Sequence, residues 1–428
     1  MNIQDAINQQ TGQASITGWV YRERGNNKLR FLVIRDSKNI IQCVIKKSDV
    51  GEEAFEQAKN LKVEASVEIS GELHKDERAP TGVELQVKQL RVIGESNDFP
   101  ITEDFSTEHL LDNRHLWLRS RKMTAALKIR STCFKAFRKY FDQQGFIEFH
   151  SPIFQSTQAE GGSELFSVKY FDKEVYLSQT WQLYAEAGIF GLENIYTIAP
   201  TFRAENSKTS RHLTEFWMGE MEMVHCSFSD LQDHGEGVIK AMLNAVLQEN
   251  QAELAVLERD VELLKPAATK NYPRITYDQA LKQLKEECSM DVEWGKDLRT
   301  LEEDALSKLY DTPIIITEYP TAVKAFYMKE VPGKPQVVQG YDLIGPEGYG
   351  ELIGGSQREE DIDKIITRLK EEGEDPGEYE YYLDTRRFGS VPHGGFGVGM
   401  ERVIAWIGGL DSVKDAIAFP RTPTRHKP

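Results

Sequence analysis

One stretch restricts the fold more than any other. Residues 14 to about 95 hold five short runs in which apolar and polar residues alternate: ASITGWVYRER, LRFLVIRD, IIQCVIKK, ASVEISGELHKD and VELQVKQLRVIG. Period-two alternation gives a strand one buried and one solvated face. A helical insert, EEAFEQAKNL, falls between the third and fourth runs. Five short strands with one helix suit a small closed barrel. From Lys122 the pattern changes: Leu127, Phe134, Phe137 and Phe141 recur at helical spacing up to Gly145, and the extended segment GFIEFHSPIF follows. Residues from Ser229 to roughly Lys265 read as helical, and RITYDQALKQLKEE reads as a further peripheral helix. Strand-like runs return at PIIITEYP and YGELIGG, and MERVIAWIGGL closes the region with a helix. Strands and helices mix without regular βαβ alternation, so the expected class is α+β with a mainly antiparallel sheet.

At 428 residues, 40% hydrophobic and 28% charged, the chain has the composition of a globular protein able to bury a large core. No apolar run reaches membrane-spanning length and the first residues lack a secretory pattern, so a cytoplasmic location is expected. Cys43, Cys133, Cys226 and Cys288 lie far apart with no CxxC pair, which excludes zinc-finger and redox-dithiol spacing. The net charge of -16 argues against wholesale coating of nucleic acid. Its distribution matters more: between Val20 and Lys47 eight basic residues stand against two acidic ones. A solvated strand face and a nucleic-acid patch both explain such a run. A small barrel of the OB-fold kind commonly binds oligonucleotides.

The chemistry concentrates further along. TFRAENSKTSRHLTEFWMGEMEM, from Thr201 to Met223, reads as a hairpin with a long polar tip between strand-forming flanks. A nucleoside triphosphate needs cations at its phosphates, a metal held by carboxylates and a flat slot for its base. Arg203 and Arg402 suit bidentate phosphate contact and purine stacking. Asp342 and Glu351, in YDLIGPEGYGELIGGSQR, could hold Mg²⁺ while substrate phosphates complete its shell. Phe216 could wall the base slot. The glycines of HGGFGVGMER would let backbone approach a ligand closely. No Walker A sequence and no GxGxxG after a strand occurs.

Together these stretches resemble the class II aminoacyl-tRNA synthetases, in the subgroup with aspartyl, asparaginyl and lysyl specificities. KIRSTCFKAFRKYFDQQGFIEFHSPIF is similar to the family's first motif, TFRAENSKTSRHLTEF to its second, and GGFGVGMERVIAWIGG to its third. The resemblance implies an N-terminal OB-fold that binds the anticodon over 1–98, a linker over 99–121, and a catalytic domain over 122–428 built on an antiparallel sheet. It also implies ATP, Mg²⁺ and tRNA as ligands, and a homodimer. Arg203 would bind the α-phosphate and the amino-acid carboxylate, and Glu205 would reach toward adenine. Arg211 and His212 would approach the terminal phosphates, with His212 as general base the less favoured role. Phe216 and Arg402 would enclose the adenine, and Ser207 to Ser210 would form the mobile tip. Glu160 and Gln182 are implicated at the ammonium group, and Arg358 at the side-chain carbonyl oxygen. In the barrel, Phe31 would stack on an anticodon base and Gln42 hydrogen-bond one, with Arg22 and Lys46 on the backbone.

Asparagine is the expected amino acid. Ala185 stands where aspartyl members usually carry a lysine, and Glu220 where they commonly have aspartate. The FPRTP ending is typical of asparaginyl members, and the compact C-terminal half is archaeal in type. An aspartyl enzyme, including one charging both tRNAs, is the alternative. A tRNA-independent amidoligase and a non-catalytic RNA-binding relative are further alternatives; the intact barrel opposes the first, and Arg203, Glu351 and Arg402 the second.

Overall fold

A computed structural model describes residues 1–101, 106–159, 165–207, 209 and 211–428. The chain divides into two compact units, Met1–Leu116 and Trp117–Pro428.

In the first unit, strands β1 (Gly12–Gly25), β2 (Leu29–Arg35), β3 (Ile40–Lys46), β4 (Ser66–Lys75) and β5 (Val83–Gly94) close a barrel in the order β1-β2-β3-β5-β4. All neighbours are antiparallel except β3 and β5. Inward residues Val20, Leu32, Ile34, Ile41, Cys43, Val67, Ile69 and Leu85 fill its interior. Two helices pack into this core. Helix α1 (Ile3–Gln9) contributes Ile3 and Ala6, and helix α2 (Glu52–Asn60) contributes Phe55 and Ala58. Asn2 caps α1 by accepting from the Asp5 N–H. This short N-terminal helix adds to the five-strand reading of the sequence.

The second unit is built on an eight-stranded sheet. Its strands are β6 (Ile147–Glu148), β7 (Asn194–Phe202), β8 (Glu215–Val224), β9 (Arg274–Thr276), β10 (Ile314–Thr317), β11 (Gly340–Gly345), β12 (Gly350–Gln357) and β13 (His393–Gly399). Their order is β9-β10-β11-β12-β13-β8-β7-β6. The pairs β9/β10 and β7/β6 are parallel; the interior is antiparallel. The helices used below are α3 (Arg121–Gln143), α4 (Gln182–Leu192), α5 (Phe228–Glu249), α6 (Tyr277–Glu287), α7 (Thr300–Ser307), α8 (Glu380–Arg387) and α9 (Met400–Gly408). RITYDQALKQLKEE does not form a single helix. Arg274–Thr276 extends the sheet edge, and α6 starts only after Thr276, whose side chain caps it in a box with Gln279.

Ser120 caps α3 by accepting from the Met123 N–H, and the helix ends before Gly145, which has φ +81°. Met123, Ala126, Ile129, Cys133, Phe137 and Phe141 form its buried face. Together with buried residues of α5 and α9, this face covers one side of the sheet. The period of two splits β8 between two environments. Trp217 meets Phe134 edge-on at 6.0 Å and Gly219 lies under Phe137. Phe216, Met218, Glu220 and Glu222 line a cavity.

Gly219 shows how closely α3 is seated: a Cβ there would lie 2.5 Å from Phe137 Cε2. Phe137 is fully buried and cannot swing away. Gly219→Ala should therefore destabilise the protein by about 1–3 kcal/mol through overpacking. Urea denaturation reads this directly, and unchanged stability would mean that helix and strand do not touch there.

Candidate active site

The open side of the sheet holds a cavity of about 670 Å³. Arg203, Glu205, Arg211, His212, Phe216, Gln182, Glu220, Asp342, Glu351, Arg358 and Arg402 all line it. They come from segments far apart in sequence. The β7–β8 hairpin pairs Thr201 with Phe216 and projects the loop that carries Arg203 to His212. The FPRTP ending lies beside this hairpin, where the Thr214 N–H donates to the Arg421 carbonyl at 2.9 Å.

One end of the cavity is rich in charge. The Arg203 guanidinium sits over the Phe216 ring at 5.6 Å, so cation and aromatic wall belong to one strand pair. Arg402, on the first turn of α9, donates to the Glu351 carbonyl at 2.8 Å. Arg211 is ion-paired to Asp304 of α7 at 2.6 Å. His212 Nδ1 contacts Thr209 Oγ1 at 2.5 Å. Burial first, and then Arg402, lowers the His212 pKa from its ordinary value, so the ring stays neutral in this setting. Asp342 is buried against Lys324 Nζ at 2.8 Å, and Lys324 lies over the Tyr319 ring at 4.0 Å. Burial raises the Asp342 carboxyl despite Lys324. The half-buried Glu303 is pushed up to about 8 by burial and by Glu351, against the pull of Arg402.

The other end is charge-balanced. Arg358 grips Glu222 with both sides of its fork, Nε to Oε1 at 2.9 Å and Nη2 to Oε2 at 2.8 Å, while Nη1 donates to Ser356 Oγ at 2.6 Å. Both partners are buried. Burial and the Glu186 charge lift the Glu222 carboxyl, and the bidentate contact opposes them. Glu220 turns elsewhere: its carboxylate accepts from the Thr180 hydroxyl and from the Trp181 N–H at 3.1 Å. Gln182, on the first turn of α4, donates from Nε2 to Glu186 at 2.9 Å.

One expectation changes. Ala185 does not reach the cavity. It is fully buried in a cluster with Trp181, Ile189 and Ile195, although Gln182, three residues before it, lines the cavity. Glu220, expected to accept from the substrate's amide, lines the cavity; the carboxylate paired with Arg358 is Glu222, two residues further along the same strand face. Glu160, with Lys208 and Ser210 of the hairpin tip, lies outside the described residues.

In the barrel, the cross-strand pairs Arg24↔Phe31, Arg22↔Val33, Val33↔Gln42 and Leu29↔Lys46 place Arg22, Phe31, Gln42 and Lys46 on one outer face. Arg24 completes that face, with its guanidinium 5.0 Å over the Phe31 ring and Nη2 donating to Gln42 at 3.3 Å. Gln42 is buried and donates to Glu84 at 3.2 Å.

Comparison with known proteins decides the family. The family tRNA synthetases class II (D, K and N) matches residues 106–423, and the OB-fold nucleic acid binding domain matches residues 14–93. The chain belongs to the class II tRNA synthetases of this D, K and N group. Asparagine–tRNA ligase of Thermococcus gammatolerans is 47% identical over 416 residues, 97% of this chain and 96% of the relative. That of Lactobacillus johnsonii is 43% identical over 429 residues, 100% and 99% of the two. Asparaginyl-tRNA synthetase of Pyrococcus horikoshii, solved with asparaginyl-adenylate, superposes with a TM-score of 0.96 at 45% identity, covering 100% of this chain and 99% of the other.

Sequence offers no direct pointer to several groups in the site of this synthetase. Glu222 is marked only by the period-two spacing of GEMEM, which Glu220 shares. Lys324, Glu303 and Asp304 sit in stretches without a motif, and only the fold brings them to the cavity.

The raised Glu303 pKa has a thermodynamic consequence. A carboxyl held above its ordinary 4.5 contributes stability that is complete below about pH 4.5 and lost as pH rises through about 8. Glu303→Gln fixes the neutral form. Its urea-unfolding free energy should therefore fall less than the wild type's between about pH 5.5 and pH 8. Parallel pH profiles for the two proteins would show that Glu303 ionises freely.

Proposed function

We propose that this synthetase is an asparagine–tRNA ligase: it activates asparagine with ATP to asparaginyl-adenylate, releases pyrophosphate, and transfers the asparaginyl group to the 3′ end of tRNA(Asn). The observation that carries the choice of amino acid is the buried Arg358–Glu222 pair. A carboxamide presents one acceptor and one donor. Arg358 keeps N–H groups beyond those spent on Glu222 and Ser356, and these suit the carbonyl oxygen. Glu222 suits the NH₂. Aspartate would bring a second carboxylate against Glu222. An uncompensated buried charge costs about 3–5 kcal/mol.

The chemistry is in-line attack of the asparagine carboxylate on the α-phosphorus. That carboxylate is already ionised, so no side-chain base is required, and positioning and charge stabilisation are the main demands. Arg203 would bridge the attacking carboxylate and the α-phosphate. Phe216 and Arg402 would enclose the adenine, with Glu205 at its edge, and Arg211 and His212 would face the outer phosphates. Gln182 and Glu160 would take the ammonium group.

Asp342, Glu351 and Glu303 gather surplus negative charge at the phosphate end, where burial first, and the Glu351 charge after it, raises the carboxyls of Asp342 and Glu303. That surplus suits Mg²⁺, which takes one or two carboxylates and fills its shell with phosphate oxygens and water. Among the described residues no cluster of three or more His, Cys, Asp or Glu could hold a metal. Asp342 and Glu351 would hold the ion, which when bound neutralises phosphate charge.

The barrel face of Arg22, Phe31, Gln42 and Lys46 would receive the anticodon. Exposed Ile147, Ile153, Phe154 and Phe171 give the region around β6 an apolar surface that suits a homodimer. No described helix is long and apolar enough to cross a membrane. We place the reaction in the cytoplasm, where tRNA is charged.

ATP–pyrophosphate exchange without tRNA tests the reading. Asparagine should be preferred over aspartate by about 100-fold or more in kcat/KM, as expected for a polar site that rejects a mismatched group. Activation of aspartate within tenfold of asparagine would transfer the assignment to the aspartyl alternative.

A further inference from the structure

Both ends of the amino-acid pocket are tied to one carboxylate that stands behind it. Glu186 is fully buried and lies one turn after Gln182 on α4. Its Oε1 accepts from Gln182 Nε2 at 2.9 Å and faces Arg358 Nε at 3.7 Å. Its Oε2 accepts from Arg386 Nη2 of α8 at 2.6 Å and from the Tyr382 hydroxyl at 2.8 Å, and it meets His393 Nε2 at 3.1 Å. Gln182 and Arg358 line the cavity, whereas Glu186, Arg386 and His393 do not. Burial opposes ionisation of Glu186, but Arg386, His393 and Arg358 overcome it and hold its carboxyl well below the ordinary range.

We propose that Glu186 is a positioning residue for amino-acid selection, fixing Gln182 and Arg358 relative to one another and supplying the charge that keeps the pocket wall neutral. The proposal rests on asparagine being the amino acid that is activated.

The charge count gives the proposal its sign. On the Arg358 side of the pocket, Arg358 and Arg386 carry two positive charges, and Glu186 and Glu222 two negative ones, all buried; Glu220 also lines the cavity, its carboxylate held by Thr180 and the Trp181 N–H. Asparagine and aspartate have nearly the same shape, so a balanced charge set on that side favours the amide. Without the Glu186 charge the same wall gains one positive unit and attracts a second carboxylate. Tyr382, raised well above its ordinary value by burial, stays neutral on the cluster. His393 is the other titratable group, and its Nδ1 faces the Val391 carbonyl at 2.7 Å. A change at Glu186 shifts the wall by one unit whichever state His393 holds. If Glu186 only fastened α8 to α4, its loss would lower activation of both amino acids alike.

Pyrophosphate exchange with asparagine and aspartate, ATP also being varied, separates these roles in Glu186→Gln, Arg386→Gln and the double variant. In Glu186→Gln the preference for asparagine should drop about tenfold or more, equivalent to about 1.4 kcal/mol. The KM for asparagine should rise while that for ATP stays within about twofold, since uniform binding is lost only at the amino-acid end. Arg386→Gln, with the opposite charge change, should strengthen discrimination against aspartate. The double variant should return toward the wild-type preference. Equal losses for both amino acids in Glu186→Gln, or a double variant no closer to wild type than Glu186→Gln, would overturn the proposal. If Glu186→Gln fails to fold, Arg386→Gln decides, and an unchanged or weakened preference overturns it. A wild-type enzyme without preference for asparagine would instead refute the functional reading on which the proposal rests.

Discussion

The floor of the active site depends on bare backbone. Along β12 and β13 the sheet carries glycine where long polar side chains lie across it. A Cβ on Gly395 would lie 2.2 Å from Glu222 Oε2, and one on Gly354 would lie 2.6 Å from Glu351 Oε1. Both carboxylates therefore occupy space that any larger residue would fill. Register does the rest. Glu222 and Ser356 both pair with Gly395, so Glu222 of β8 and the end of β12 meet across a single glycine. The Arg358–Glu222 fork follows from that alignment.

The sheet then separates two electrostatic settings within one cavity. Toward the hairpin tip and α7 lie Arg203, Arg211 and Arg402, facing Asp342, Glu351 and Glu303. That end tolerates incomplete pairing and suits a polyanion and its counterion. Toward α4 and α8, Arg358, Glu222, Glu186, Arg386 and His393 are closely paired, and Arg358 keeps spare N–H groups. Such a site discriminates by the cost of leaving a buried group unpaired rather than by attraction. On the proposed reading, catalysis by charge and selection by neutrality coexist on one strand, with Phe216 and Glu222 three repeats of the period-two pattern apart.

What the sequence makes legible is local. The hairpin of Arg203 and Phe216, the amphipathic α3 and the five-strand barrel each announce themselves through periodicity and turn residues within a short window. What is not legible is non-local. Glu220 and Glu222 share a strand face, and only the pairing with β13 decides which of them meets Arg358. Ala185 sits three residues after Gln182, yet it packs into the core with Trp181 and Ile189. Asp304, Lys324 and Arg386 carry no motif, and their relevance appears only when α7, the segment before β11 and α8 fold back onto the sheet. The edge strand β9 is hidden for the same reason, since three residues acquire a strand identity only from β10 beside them.

The central claim is that Glu222, held in a neutral pair by Arg358, selects an amide over a carboxylate. The most direct measurement is the affinity of non-hydrolysable asparaginyl- and aspartyl-adenylate analogues for the wild type and for Glu222→Gln, by titration calorimetry. The wild type should bind the asparaginyl analogue about 100-fold or more tightly than the aspartyl one, and Glu222→Gln should erase about tenfold or more of that ratio. An unchanged ratio in Glu222→Gln would contradict the claim and place selection elsewhere in the cavity.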